Sequence, residues 1–133
     1  MIGVYVITNT VTGEQYVGAS RDVAFRFRQH QSTLRGGRHC NRRLQAAWNE
    51  HGEAVFLFEG LEKLPAEQMP PKGKPYHRDE SVEDLAIRAE YLSAVDVWLR
   101  TAEGRWQIRL QPAYNGAYRR IDRDDDIPMR LIS

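Results

Sequence analysis

The chain has one cysteine, Cys40. A single thiol excludes an intrachain disulfide and favours a reducing, cytoplasmic (intracellular) setting. Thiol pairs for a structural zinc are missing as well. His30, His39, Cys40, His51 and His77 supply N and S donors, yet no Cys-x₂-Cys or His-x₃-His spacing joins them. No apolar run approaches the roughly 18 residues of a membrane span, and no charged leader precedes a long apolar core, so a membrane partner is not expected. Internal repeats are absent. Net charge is nearly absent too: +1 overall, so global charge says nothing about nucleic acid. What remains is 133 residues, 41% of them hydrophobic, sized for one domain that buries roughly two-thirds of its unfolded surface.

Local charge is less even. Between Arg21 and Arg43 stand seven arginines and one acid, Asp22, whereas Arg119 to Asp126 mixes arginine with four aspartates. Arg35, Arg38, Arg42 and Arg43 are candidate contacts to a nucleic-acid backbone, although a run of this kind is as often a solvated helix face.

The first twenty residues read as a hairpin. Ile2, Val4 and Val6 alternate with Gly3, Tyr5 and Ile7; Thr8 to Glu14 carries turn chemistry; Gln15-Tyr16-Val17-Gly18 resumes the strand. Tyr5 and Tyr16 can therefore stand on one face of paired strands, a placement that strand-loving tyrosines also take for packing alone. Ser20 or Asp22 caps a first helix with Val23, Phe27, His30 and Leu34 on its apolar stripe and Arg26 at the edge, one turn before His30. A histidine on such a stripe is more often a satisfied core residue, but an arginine beside it needs an anion or a carboxylate. Gly36-Gly37 breaks this helix, and His39-Cys40-Asn41 opens a second that closes at Gly52. Ala54 to Gly60 reads as a third strand, expected at the centre of the sheet. Residues 62–80 carry four prolines, a glycine and several charges, and read as an insertion loop. Ser81-Val82-Glu83-Asp84 looks like a capping box opening the longest helix, through about Arg100, with Leu85, Ala89, Leu92 and Leu99 as its stripe. Glu90 lies off that stripe, where a glutamate is usually only solvated. Beyond Gly104 the pattern is weak. Ala113-Tyr114-Asn115-Gly116 reads equally as a turn or as a motif.

The order Gly3-Val4-Tyr5, Tyr16-Val17-Gly18, Arg26, His30, His39, Glu90 and Asn115 resembles the GIY-YIG nuclease superfamily. In pattern it is most like the catalytic domains of homing endonucleases of the kind phages and mobile elements carry. The likeness is densest over residues 3–60 and thins to single positions afterwards. It implies an α+β fold: a small three-stranded mixed or antiparallel sheet, the N-terminal hairpin plus a central third strand, flanked by helices. It also implies a nuclease domain over residues 1–118 and leaves 119–133 as a charged tail. From the resemblance come the catalytic set Tyr5, Tyr16, Arg26, His30, His39, Glu90 and Asn115, with Glu90 holding one Mg²⁺ or Mn²⁺.

These residue types suit phosphodiester hydrolysis, which needs an activated water, charge on the phosphoryl oxygens and relief for the leaving alkoxide. One carboxylate with waters and phosphate suits Mg²⁺ and does not make a two-metal clamp. Arg26 would grip the phosphate, and His39 would contact water or phosphate. A phenol with a pKa near 10 is only about 0.1% ionised at pH 7, and lowering it by two to three units requires about 3–4 kcal/mol. A cation about 4 Å away supplies that order of energy at an effective dielectric of about 20. Tyr5 is thus the preferred base if Arg26 or the metal is near; otherwise it orients water while His30 takes the proton. The expected function is a metal-dependent endonuclease acting on the DNA phosphate backbone. Its sequence specificity would be loose, or borrowed from the 62–80 loop, a homodimer or a larger complex. The competing reading is a catalytically weak module of the same fold that binds nucleic acid or docks a partner.

Overall fold

Alternation sends Val4 and Val6 to one side of an extended chain and Tyr5 and Ile7 to the other. The computed structural model, which describes residues 1–116, places strand β1 (Gly3–Asn9) there and strand β2 (Gln15–Ser20) antiparallel to it. The turn between them is held by Asn9, whose Oδ1 accepts from the Val11 and Thr12 amides at 3.0 and 3.4 Å. Gly13 follows at φ 80°, a left-handed conformation that glycine adopts without strain. In this register Tyr5 faces Gly18 and Ile7 faces Tyr16, so the two phenols are diagonal neighbours on one face, ring centroids 6.5 Å apart.

Strand β3 (Phe56–Lys63) pairs antiparallel with the other side of β1, giving the order β2-β1-β3. The sheet is three-stranded and antiparallel, as expected, but the third strand is not central; β1 is. The expectation followed the apolar run from Ala54, yet Glu53–Val55 is a single 3₁₀ turn, and the strand itself carries exposed Glu59 and Lys63. Charges of this kind belong on an edge. The register shifts between Val4 and Tyr5, and there the β3 backbone comes so close that a Cβ on Gly3 would overlap the Glu62 carbonyl.

Helices cover both faces. On the Tyr5 face lie α1 (Val23–Arg35), capped by Asp22 Oδ1 accepting from the Phe25 amide at 3.0 Å, and α2 (Arg42–His51), capped by Asn41 Oδ1 accepting from the Leu44 amide at 3.0 Å. Val23, Leu34, Leu44 and Trp48 pack there against Tyr5, Ile7, Tyr16 and Tyr114. On the other face α3 (Val82–Leu110) opens with the expected capping box between Ser81 and Asp84, and sets Trp98, Ala102 and Trp106 on Val4, Val6 and Val17.

This helix departs from expectation twice. It continues through Gly104 for 29 residues in all, and its buried stripe is Tyr91, Val95, Leu99 and Ala102. Leu85 and Ala89 are exposed. The first turns of α3 meet the preceding segment, where Arg88 pairs with Glu80 and its guanidinium lies 6.0 Å from the Tyr76 ring. Within 62–80, β3 extends to Lys63 and Ala66–Gln68 forms one 3₁₀ turn, the remainder being irregular. The expected charged tail, 119–133, lies outside the described residues.

Gly18 is set by the phenol opposite it: a Cβ there would overlap the Tyr5 hydroxyl, and Tyr5 is fully buried and has no room to give way. Gly18→Ala is expected to lower stability by roughly 1–3 kcal/mol, the cost of overpacking a filled site. The urea midpoint checks this; an unchanged midpoint would show that the ring can move.

Candidate active site

The hairpin register and the stripe of α1 bring Tyr5, Tyr16 and His30 into one buried cluster. His30 Nε2 lies 2.7 Å from the Tyr5 hydroxyl, and its ring centroid is 5.5 Å from that of Tyr16. His30 Nδ1 in turn lies 2.7 Å from His39 Nε2, the two imidazole planes 18° apart and their centroids separated by 5.0 Å. His39 is fixed by its surroundings. The Asn41 amide donates to its Nδ1 at 2.9 Å, and its own amide donates to Gln45 Oε1 at 2.9 Å. Gln45, a buried residue that sequence reading passed over, ties this loop to the end of α1 by donating to the Leu34 carbonyl at 2.9 Å. The position expected of His39, facing water or phosphate, is therefore corrected. Both ring nitrogens face protein groups, and the residue is buried.

Burial holds both imidazoles neutral. It pushes His30 down to about 3, helped by His39 and by the nearby Arg26 charge, and pushes His39 down to about 4. Arg26 is half-buried one turn before His30, and among the described residues its buried Nε has no hydrogen-bond partner. An unsatisfied buried donor of this kind costs about 1–3 kcal/mol until an acceptor reaches it.

Arg26 lines a cleft of about 670 Å³ together with Ala19, Ser20, Phe25, Leu99 and Glu103. The cleft opens at the outer edge of β2, where α1 from one face and α3 from the other converge. Arg21 and Asp96 close one side through a paired contact at 2.9 and 2.6 Å, which accounts for an aspartate close to the α3 stripe. Glu103 is 6% exposed. Glu90, the acid expected here, is exposed and does not line the cleft; thirteen residues separate it from Glu103, about 20 Å along the helix. The signal for Glu103 was present but cut off. Val95, Leu99, Ala102 and Glu103 continue one stripe, and ending the helix at about Arg100 removed the acid from it.

Asn115 is 1% exposed and takes no part in the cleft. Its Oδ1 accepts from the Val17 amide at 2.8 Å and its Nδ2 donates to the Val17 carbonyl at 3.0 Å, so one side chain imitates a neighbouring strand. It thereby braces β2 next to Tyr16. Of the four arginines expected to contact nucleic acid, Arg35 is paired with Glu53 and Arg43 with Glu14. Arg38 folds back against Gly36, and Arg42 is exposed. The arginines lining the cleft are Arg21, Arg26 and Arg100.

The model of the GIY-YIG catalytic domain matches residues 1–68, half of the chain. The chain belongs to the GIY-YIG family. Among curated relatives, intron-associated endonuclease 1 of Enterobacteria phage T4 is 38% identical over 66 residues, which is 50% of this chain and 26% of that protein. The shared region is thus about a quarter of the relative's length. Among solved structures, the catalytic domain of the homing endonuclease I-TevI is 26% identical, with a TM-score of 0.47 over 77% of this chain and 88% of that one. A mutant of the I-TevI catalytic domain is 28% identical, with a TM-score of 0.45 over 76% and 82%. In this GIY-YIG chain the two glycine-flanked tyrosines are the diagonal pair of the hairpin, and the second glycine is the space the first tyrosine fills.

Asn115→Ala would leave both backbone groups of Val17 without their partner, and is expected to cost roughly 2–4 kcal/mol, read as a lowered urea midpoint. For pH, the sign follows from two histidines whose folded values are depressed below 6.5. Between about 3 and 6.5 the unfolded chain binds more protons, so stability is complete above pH 6.5 and is lost as pH falls toward 4 and 3. Thermal melts should show Tm dropping across that window, and the drop should flatten when both histidines are replaced by glutamine. An equal slope in that double variant would place the acid sensitivity elsewhere.

Proposed function

We propose that this chain is an endonuclease that hydrolyses phosphodiester bonds of DNA, with Tyr5 as general base, Arg26 on the scissile phosphate and Glu103 as the metal-holding acid. The observation that carries the reading is a single one: the unpartnered Nε of Arg26 and the carboxylate-bearing Glu103 share a cleft, one helical turn from the His30–Tyr5 pair. Arg26 offers charge-assisted hydrogen bonds to the non-bridging oxygens, which would satisfy its buried donor. Tyr5 acts as the phenolate, its own proton released to solvent and its charge favoured by the hydrogen bond with His30; it takes the proton of the attacking water and is phenol again.

Among the described residues no three His, Cys, Asp or Glu side chains gather to cage an ion. Glu103 shares the cleft with Asp22 and with Asp96, which is paired to Arg21. A site with so few carboxylates fits a hard divalent cation that keeps water and phosphate oxygens in its shell, as Mg²⁺ does and Mn²⁺ can. Bound by Glu103, that ion would supply charge neutralisation at the phosphoryl and leaving oxygens. Arg21 and Arg100 at the cleft, with Phe25 at its rim 49% exposed, suit a DNA strand passing the edge of β2. Tyr5 and Tyr16 have no exposed surface, so substrate binding has to open a path to them. That closed arrangement is what favours the second reading, a module of this fold that holds nucleic acid and cuts it poorly.

Supercoiled plasmid with Mg²⁺ separates the two. Glu103→Gln and Arg26→Ala are each expected to lower the cleavage rate by about 10²-fold or more, the loss typical of removing one transition-state contact. Glu90→Gln should remain within about twofold, as expected of a solvent-exposed position. Salt-sensitive binding should persist in Glu103→Gln. Wild-type cleavage by Glu103→Gln removes the assignment, and binding without cutting in Mg²⁺ and in Mn²⁺ selects the second reading.

A further inference from the structure

We infer that His39 is a positioning residue: with the Asn41 backbone amide it locks His30 as the Nε2–H tautomer, so that His30 donates to the Tyr5 oxygen and cannot take a proton from it. The polarity follows from one group whose direction is not negotiable. A backbone N–H can only donate, and that of Asn41 points at His39 Nδ1 from 2.9 Å. His39 Nδ1 must then be unprotonated, and the single hydrogen of the neutral ring sits on Nε2. That atom faces His30 Nδ1 at 2.7 Å, so His39 donates and His30 Nδ1 accepts. The hydrogen of His30 is left on Nε2, 2.7 Å from the Tyr5 oxygen. In the opposite polarity the last link would set His39 Nδ1–H against the Asn41 N–H, two donors face to face in a buried site.

Both rings stay neutral near pH 7, so the chain keeps one direction across the ordinary range. Asn41 is itself immobilised. Its side chain caps α2 and donates to the Tyr114 carbonyl at 2.9 Å, so the amide is aimed by two elements at once. The consequence decides between the two candidate bases. With Nε2 already protonated, His30 stabilises a Tyr5 phenolate and is not the acceptor of its proton.

The catalytic half of this inference rests on the proposed nuclease reading; the tautomers do not, and the test keeps them apart. Long-range ¹H–¹⁵N correlation of the ¹⁵N-labelled full chain at pH 7 should show Nε2 protonated and Nδ1 bare in both His30 and His39. Nδ1–H in either ring overturns the inference whether or not the protein cuts DNA. Two variants then read the effect on Tyr5. His39→Phe keeps an aromatic ring but removes the donor. It should give mixed tautomers at His30 and lower kcat about tenfold or more, with KM within about twofold. His39→Gln carries an N–H donor and a carbonyl acceptor and should restore the single His30 tautomer and most of kcat. A His39→Phe protein with wild-type kcat, or a folded His39→Gln as defective as His39→Phe, rejects the positioning role. Absence of cleavage in every metal, with the tautomers as stated, counts against the nuclease reading alone.

Discussion

Everything in this molecule depends on the register of one hairpin. Setting Tyr5 opposite Gly18 lets the phenol lie across the neighbouring strand in the volume a side chain would otherwise fill. Its hydroxyl then ends beside His30 on α1, and Tyr16 takes the diagonal position two residues along. A slip of one residue would turn Tyr5 and Tyr16 to the α3 face and drop Val4 and Val17 among the imidazoles. Helix α1 meets the hairpin through Val23 and Leu34, and the same stripe carries His30 inward. Core packing and the placement of reactive groups are thus one requirement, met by the same residues.

The second requirement is that two helices on opposite faces reach around an edge strand. Strand β2 is outermost, so α1 and α3 can both extend side chains past it, Arg26 from one and Glu103 from the other. The Arg21–Asp96 pair braces that junction. Surface pairs contribute little to stability; this one ties the residue that follows β2 to α3 beside the cleft.

Most of the fold was legible in the residues themselves. Asp22, one of two expected caps, and the expected Ser81–Asp84 box each mark a helix start by a side chain that accepts from a free amide, and Asn41 does the same for α2. The hairpin was legible from alternation and turn residues. What failed did so for physical reasons. The apolar run from Ala54 to Phe58 looked central because it is hydrophobic, yet part of that hydrophobicity belongs to a 3₁₀ turn under α2. Burial of Leu99, Ala102 and Trp106 carries α3 through Gly104, which costs a helix about 1 kcal/mol, whereas the sequence reading ended the helix at about Arg100. Stopping there hid Glu103 and left Glu90 as the acid. Tyr5, Arg26 and His30 were placed together correctly. The backbone bonds of His39, Gln45 and Asn115 were not foreseen, because a side chain that bonds to backbone leaves no periodic trace in the sequence.

Asn115 closes the outer side of β2 from 98 positions further along the chain. Until that residue has left the ribosome, the strand bearing Tyr16 has a bare margin, able to pair with any extended segment nearby. Synthesis therefore reaches the turn at Ala113–Asn115 before the outer edge at Val17 is covered. A nascent chain that stops short of Asn115 lacks the side chain that occupies that edge, and leaves it open to misplaced pairing.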